Sequence, residues 1–355
     1  MQRSNVGILG IGVHLPEHLR TNGWWPPAVV AAWQEQRART PAPPSPRTEG
    51  MARVLAAMAQ TRDDPFQGAV ERRVMAEGAV ACDMEQLAAE EALSRAGVDR
   101  SSIDLLLCHT TVPEQLLTNT ACELHHRLGL PTDCFTMVTE GAAASFVMQF
   151  MIAEQMIAGG RARNALLVQS CSVTRLLDPS DPLSPLFGDA ASAVVVGPVA
   201  EGRGILGARQ CTDGRASRTL VASVRGGRWY DEGRVILHSA DPMGARDVFL
   251  LAADRGKEVS DAALREARMS PSDVDFFVVH TGTPWFRQVM QEHFGLTSAR
   301  SIESFSSTAY VFSVSIPLGL SLGEREGLLR SDDVVLLHGG GTGVTYGSLV
   351  LRWGR

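Results

Sequence analysis

Short, continuously apolar segments alternate with helical segments along this chain, and this alternation restricts its fold more than any other feature. The apolar segments that we predict to be strands are Val6–Val13, Leu105–Cys108, Cys134–Val138, Ala165–Val168, Ala190–Val196, Phe276–Val279, Val334–Leu337 and Ser348–Trp353. Strands that are apolar on both faces are typical of sheets covered by helices on both sides. The pattern therefore predicts α/β layers around buried sheets.

Helical spacing of apolar residues appears between these strands. The predicted helices are Met84–Ala96, Ala121–Leu128, Ala143–Ala158, Val248–Ala267 and Trp285–Phe294. Strand–helix alternation runs through the first part of the chain and starts again after about residue 200. We therefore expect two similar α/β halves, residues 1–200 and 201–355.

Charge and hydropathy exclude several classes of function. The 355 residues carry a net charge of −6 and contain no basic block of the kind that binds nucleic acid or an anionic membrane. No apolar run reaches the roughly 20 residues that a membrane span needs. The first residues lack the apolar core of a signal peptide, so a cytoplasmic location is the default expectation.

The six cysteines do not form a CxxC pair, which argues against a zinc site. We therefore predict no metal, and we interpret the cysteines as mostly buried thiols.

Four stretches, taken in order, resemble segments of the ketoacyl synthase III family of the thiolase superfamily. They are Gly7–Asn22, Phe66–Arg73, Leu177–Ala193 and Gly341–Ser348. The resemblance implies a five-layered αβαβα thiolase fold with two similar α/β halves, and a homodimer. It also implies acyltransferase chemistry on an acyl thioester. The acyl group would be carried by coenzyme A or by the phosphopantetheine of an acyl carrier protein, with no further bound cofactor.

The nucleophilic cysteine of that family is absent from the matching position. Counting back from Gly160 places the position at Ala143, whereas counting forward from Gly129 places it at Ala142. We prefer Ala143 and keep Ala142 as the alternative, since a loop absorbs a one-residue difference more easily than a helix does. Neither methyl group can form an acyl-enzyme. Ser145 is expected to serve helix packing, and Cys134 matches no catalytic position.

Three interpretations of the alanine remain open. In the first, the native protein carries cysteine at this position, and this chain is an inactivated variant of an acyltransferase. Alternatively, the alanine is natural and the chain is a non-acylating subunit that pairs with an active ketosynthase paralogue. In the third, the alanine is natural and the site transfers an acyl group without a covalent intermediate, with His280 as general base.

Two further catalytic positions follow from the resemblance. His280, after a predicted strand, matches the family histidine that hydrogen-bonds the thioester oxygen. Tyr310 falls where the family has an asparagine, seven residues before Pro317. A tyrosine there is either a hydroxyl donor or a filler of the pocket, and with it we favour acyl transfer over decarboxylative condensation.

Backbone donors and pocket residues complete the expected site. The turn at Gly341 and Gly343, together with the N–H of residue 143, would form an oxyanion hole. Leu117, Phe146 and Phe187 would line the acyl pocket, with Leu117 at the dimer interface.

The region between residues 22 and 66 departs from the family, and the expected coenzyme A contacts are poorly reproduced. These departures favour a carrier-protein-bound substrate. They also favour specialised metabolism, in polyketide or fatty acid biosynthesis, over housekeeping synthesis.

Overall fold

The computed structural model describes residues 5–40, 43–118, 120–341 and 343–355. Its strands are β1 (Val6–His14), β2 (Leu19–Thr21), β3 (Glu71–Arg73), β4 (Leu105–Thr110), β5 (Phe135–Val138), β6 (Ala165–Cys171), β7 (Ala190–Pro198), β8 (Gly204–Thr212), β9 (Val221–Val224), β10 (Val235–His238), β11 (Phe276–Val279), β12 (Arg300–Ser301), β13 (Val334–Gly341) and β14 (Thr345–Arg352).

The α-helices are α1 (Pro27–Ala38), α2 (Glu49–Gln60), α3 (Ala81–Ala96), α4 (Thr120–Leu128), α5 (Ser145–Ala158), α6 (Pro242–Leu250), α7 (Ala252–Ala267), α8 (Phe286–His293), α9 (Phe305–Thr308) and α10 (Ser315–Arg325). Short 3₁₀ turns lead into α5 and α10, at Ala142–Ala144 and Phe312–Val314.

Two five-stranded sheets with the same construction form the framework. Their orders are β1-β7-β6-β4-β5 and β8-β14-β13-β11-β12. In each, the first two pairings are antiparallel and the last two are parallel. The chain therefore contains two copies of one strand pattern, the first within residues 6–198 and the second within residues 204–352.

Helices separate and cover the two sheets. Phe146 and Phe150 of α5 and Ile316 and Leu320 of α10 share one apolar core with residues of both sheets. A second core joins α2, α7 and α8 to the outer face of the second sheet, and a third joins α3 and α4 to the outer face of the first. This five-layered αβαβα arrangement confirms the predicted fold class.

Several predicted elements differ in detail. The single helix predicted over 248–267 is two helices, α6 and α7, because the chain breaks at Leu251. Most of the region between residues 22 and 66 is helical, and its helix α2 packs on α7 and α8. Four of the six cysteines are buried, which agrees with the prediction of mostly buried thiols, whereas Cys122 and Cys211 are exposed.

Within the described ranges, no helix combines the length and apolar character needed to cross a bilayer. The same residues contain no group of three or more His, Cys, Asp or Glu side chains that could hold a metal ion.

Candidate active site

A tight turn before α5 carries the two candidate nucleophile positions. Ala142 has a positive φ of 45°, which is strained for a residue with a Cβ, and the N–H of Ala144 bonds the Gly141 oxygen at 2.9 Å. Ala142 is 7% exposed and Ala143 is fully buried. Strained backbone of this kind is concentrated at functional sites.

The end of β13 packs directly against this turn. A Cβ on Gly341 would lie 2.0 Å from the Gly141 oxygen and 3.2 Å from the Ala142 methyl. A Cβ on Gly339 would lie 2.7 Å from the Ala143 oxygen. Only glycines in β13 allow this approach, which places Ala142 beside Gly341 and Ala143 beneath Gly339.

His280 follows β11 and reaches the same strand. The backbone N–H of Gly340 donates to His280 Nδ1 at 3.1 Å. With Nδ1 accepting, the proton of the neutral ring is assigned to Nε2. Burial lowers the pKa of His280 to about 4, partly offset by the His338 carbonyl. The ring is therefore a neutral hydrogen-bond donor at ordinary pH.

Three aromatic rings stack beside His280. Tyr310 lies 6.0 Å from His280 and 4.8 Å from Phe312 between ring centroids. Phe187 lies 5.6 Å from Tyr310 and 5.5 Å from Phe312. Burial raises the pKa of Tyr310 far above its usual range, so its hydroxyl stays protonated. Ala142 belongs to the same apolar cluster as these rings.

Phe312 occupies the position in the second half that Ala142 occupies in the first. Both begin a 3₁₀ turn into the central helix of their half, and both have a positive φ, 47° for Phe312 and 45° for Ala142. The N–H of Val314 bonds the Val311 oxygen at 3.1 Å, as Ala144 bonds Gly141. Sequence reasoning missed Phe312, because the duplication is visible in the backbone rather than in residue types.

The other predicted pocket residues are dispersed. Phe146 lies in the central core against Phe150, with centroids 6.2 Å apart, and not among the rings beside His280. Leu117 is 89% exposed on the surface of the single chain. Gly343 has a φ of 118° in the turn between β13 and β14.

Ser145 and Cys134, for which no catalytic role is predicted, are also buried. The Ser145 hydroxyl has no hydrogen-bond partner among the described residues. The thiol of Cys134 bonds the neighbouring Phe135 oxygen at 3.9 Å.

A cavity of about 450 Å³ lies between α1, α2 and α6. Its walls include Arg37, Arg62 and Arg246. Trp285 also lines it and lies 6.1 Å from Phe286, whose ring lies 4.8 Å from His280 between centroids. Cationic and apolar walls together suit a phosphate-bearing pantetheine arm.

The duplicated sheets and the turn against β13 define a protein of the thiolase-fold class. Two family models match: 3-oxoacyl-[acyl-carrier-protein (ACP)] synthase III over residues 139–214, and the C-terminal region of 3-oxoacyl-[ACP] synthase III over residues 264–353.

Known proteins extend this likeness over the whole chain. A β-ketoacyl-[acyl-carrier-protein] synthase III of Staphylococcus saprophyticus is 30% identical over 81% of this chain and 88% of its own length. One of Geobacillus kaustophilus is 28% identical over 99% of both. The crystal structure of 3-oxoacyl-(acyl carrier protein) synthase III from Pseudomonas aeruginosa PAO1 superposes with a TM-score of 0.80, at 25% identity over 99% of both chains. This chain belongs to the β-ketoacyl-[acyl-carrier-protein] synthase III family.

Proposed function

We propose that this chain is a ketoacyl synthase III-like acyltransferase that acts on an acyl thioester without forming an acyl-enzyme. The observation that carries the proposal is His280, held as a neutral Nε2–H donor by the N–H of Gly340. A donor at that position polarises a thioester carbonyl for attack by an acceptor. The geometry supports this role over that of general base, since Nδ1 is already bonded and the pKa is about 4.

The nucleophile position is Ala142 in this proposal rather than the preferred Ala143. Its methyl group lies in the cluster that contains Phe187 and Tyr310, and its φ of 45° matches that of a strained active-site turn. Ala143 is fully buried beneath β13. With alanine there, transfer occurs directly from the thioester to an acceptor bound at the same time.

The acyl donor is a phosphopantetheine thioester of an acyl carrier protein or of coenzyme A. The cavity bounded by Arg37, Arg62 and Arg246 supports this choice, since guanidinium groups suit a phosphate. Trp285 in the cavity wall contacts the ring of Phe286, and Phe286 in turn contacts the ring of His280. The replacements at residues 142 and 310 support a role in specialised metabolism.

Mass measurement of the intact protein tests the proposal. The native chain, Ala142→Cys and Ala143→Cys are each incubated with acetyl coenzyme A. We expect no adduct on the native chain and an acetyl adduct on Ala142→Cys alone. An adduct on the native chain would show a nucleophile elsewhere, and an adduct on Ala143→Cys alone would return the position to Ala143.

A second candidate function is a non-acylating subunit that pairs with an active ketosynthase paralogue. The stacked rings of Phe187, Tyr310 and Phe312 favour it, because they fill the space beside His280 with side chains. Co-purification from the native source distinguishes the two functions. A stable complex with a cysteine-bearing paralogue supports the subunit, whereas a homodimer that releases thiol from an acyl thioester supports the enzyme.

We also propose that the chain is divided into two similar halves, residues 1–200 and 201–355. The two sheets support the division, because one draws its strands from residues 6–198 and the other from residues 204–352. A homodimer is also proposed, with the edge strand β5 and the exposed Leu117 as its contact surface.

A further inference from the structure

Glu140 holds an unusual position beside the nucleophile turn. Its Oε1 accepts a hydrogen bond from the backbone N–H of Ala142 at 2.8 Å. Its Oε2 lies 3.5 Å from Nδ1 of His109, and the Glu140 side chain is 76% exposed. A carboxylate is thus fixed on the backbone donor of the position where the family nucleophile would stand.

A thioester carbonyl needs that donor during acyl transfer to the enzyme. Its oxygen becomes an oxyanion in the tetrahedral intermediate, and backbone N–H groups stabilise the charge. A carboxylate on the N–H of Ala142 occupies the donor and repels a second negative charge within a few ångströms. The carbonyl can use the donor only after Glu140 has moved away.

His109 lies beside the carboxylate of Glu140. Its ring is buried at the end of β4, with Nδ1 3.2 Å from the Thr139 oxygen and Nε2 3.4 Å from the Thr111 hydroxyl. Burial lowers the pKa of His109, and the Glu140 carboxylate opposes that shift. Oε1 of Glu140 is therefore bonded to the turn, and Oε2 lies close to the strand end.

We propose that Glu140 is a specificity-determining residue that withholds the oxyanion donor at Ala142, so that this site acylates itself only slowly even when a thiol is present. The inference rests on the proposed function, in which Ala142 is the nucleophile position. Two features then suppress self-acylation, the missing thiol at residue 142 and the Glu140 carboxylate on the backbone N–H of Ala142.

The test compares Ala142→Cys with the double variants Ala142→Cys/Glu140→Gln and Ala142→Cys/Glu140→Ala. In each, the thiolate attacks acetyl coenzyme A, the new sulfur–acyl bond forms, and coenzyme A leaves as a thiolate that takes up a proton. Intact mass measures the rate. Freeing one oxyanion donor is expected to raise acetylation about 10²-fold for Glu140→Ala, with a smaller gain for Glu140→Gln, whose amide oxygen still accepts the N–H.

Alkylation by iodoacetamide, measured on the same variants, separates this role from simple access or a change in thiol pKa. Alkylation needs no oxyanion donor, so the ratio of acetylation to alkylation should rise when Glu140 is removed. The matched control is Ala142→Cys/Glu77→Gln, because Glu77 is exposed elsewhere on the surface.

The outcomes separate the two proposals. A ratio that stays constant across the variants overturns the role of Glu140 and leaves Ala142 as the nucleophile position. Absence of acetylation in every Ala142→Cys background, with normal alkylation, overturns the proposed nucleophile position and the inference that rests on it.

Discussion

The N–H of Gly340 donates a hydrogen bond to Nδ1 of His280 at 3.1 Å. Strand β13, which contains Gly340, therefore determines which ring nitrogen of His280 carries the proton. The neutral ring presents Nε2–H to the site over the ordinary pH range, because burial lowers its pKa to about 4. In the proposed function, a histidine held in this way donates a hydrogen bond to a carbonyl and does not act as a general base.

His280→Ala is expected to lower thiol release from an acyl thioester about 10²–10³-fold, the usual cost of one lost oxyanion donor. The measurement is release of coenzyme A from acetyl coenzyme A in the presence of an acceptor. His126→Ala, which changes an exposed histidine on α4, serves as control and should leave the rate unchanged. An unaltered rate in His280→Ala would remove this residue from the reaction.

The pH profile of the native chain gives an independent check on His280. Since its pKa in the fold, about 4, lies below the ordinary value of 6.5, the ring stays neutral as the pH falls from 8 to 5. We expect a flat rate over that range. A general base of ordinary pKa would instead lose activity as the pH fell through 6.5, and a profile of that shape would contradict the donor role.

Gly341→Ala should destabilise the fold by about 3 kcal/mol, because the added methyl would lie 2.0 Å from the Gly141 oxygen and neither backbone can yield freely. Chemical denaturation gives the free energy of unfolding. Gly214→Ala is the matched control, since no atom of the described residues lies within 4 Å of the added methyl. Equal stability of the two variants would mean that β13 and the turn are not in contact.

Glu85→Gln should stabilise the protein above pH 7. Glu85 is buried, accepts hydrogen bonds from the hydroxyls of Thr110 and Ser170 at 2.6 Å each, and leaves Oε2 without a partner in the described structure. Burial raises its pKa from 4.5 to about 7.

The direction of this change in stability follows from the linkage between proton binding and folding. A carboxyl whose pKa is raised by folding contributes stability that is complete below pH 4.5 and lost as the pH rises to about 7. Glutamine removes the charge, so the gain at pH 8 is up to about 3 kcal/mol, at about 1.4 kcal/mol per pKa unit. Urea denaturation at pH 5 and pH 8 measures it, with Glu77→Gln as the exposed control; a loss of stability at pH 8 would argue that Glu85 is needed as an anion.

Phe135→Asp should convert the proposed homodimer into monomers. Phe135 is 53% exposed on β5, which among the described strands pairs with β4 alone, and a charge on such an edge opposes the addition of another strand. Sedimentation velocity reports the mass. Met243→Asp changes a residue that is 69% exposed elsewhere and should leave the dimer intact. A dimer that survives Phe135→Asp would place the interface on another surface.

The sequence is sufficient to predict the layers. Runs such as Leu105–Cys108 and Phe276–Val279 are apolar throughout, and both are buried parallel strands. The break between α6 and α7 is harder to foresee, because apolar spacing continues across Leu251 without a glycine or proline.

The site could be predicted only in part. His280 was predicted from its match to the family histidine after a strand, and the structure places it beside Gly340 of β13. The choice between Ala142 and Ala143 depends on a backbone turn with a φ of 45°, and no residue type in an alanine run reports that angle. Glu140 could not be predicted for a similar reason, since its proposed role depends on a side chain that folds back on the N–H of Ala142.

The two sheets share one order, yet they end differently. The first ends in β5, four residues long, whereas the second ends in β12, only two residues long. Two residues offer too few free backbone groups for another strand to add, so a neighbouring molecule can extend the first sheet at β5 but not the second at β12. If β5 pairs with β5 of a second copy, the free backbone groups of this edge are hydrogen-bonded in both subunits. In the proposed homodimer, the short edge at β12 would therefore close the assembly at two subunits, because it offers no second strand for a third subunit to extend.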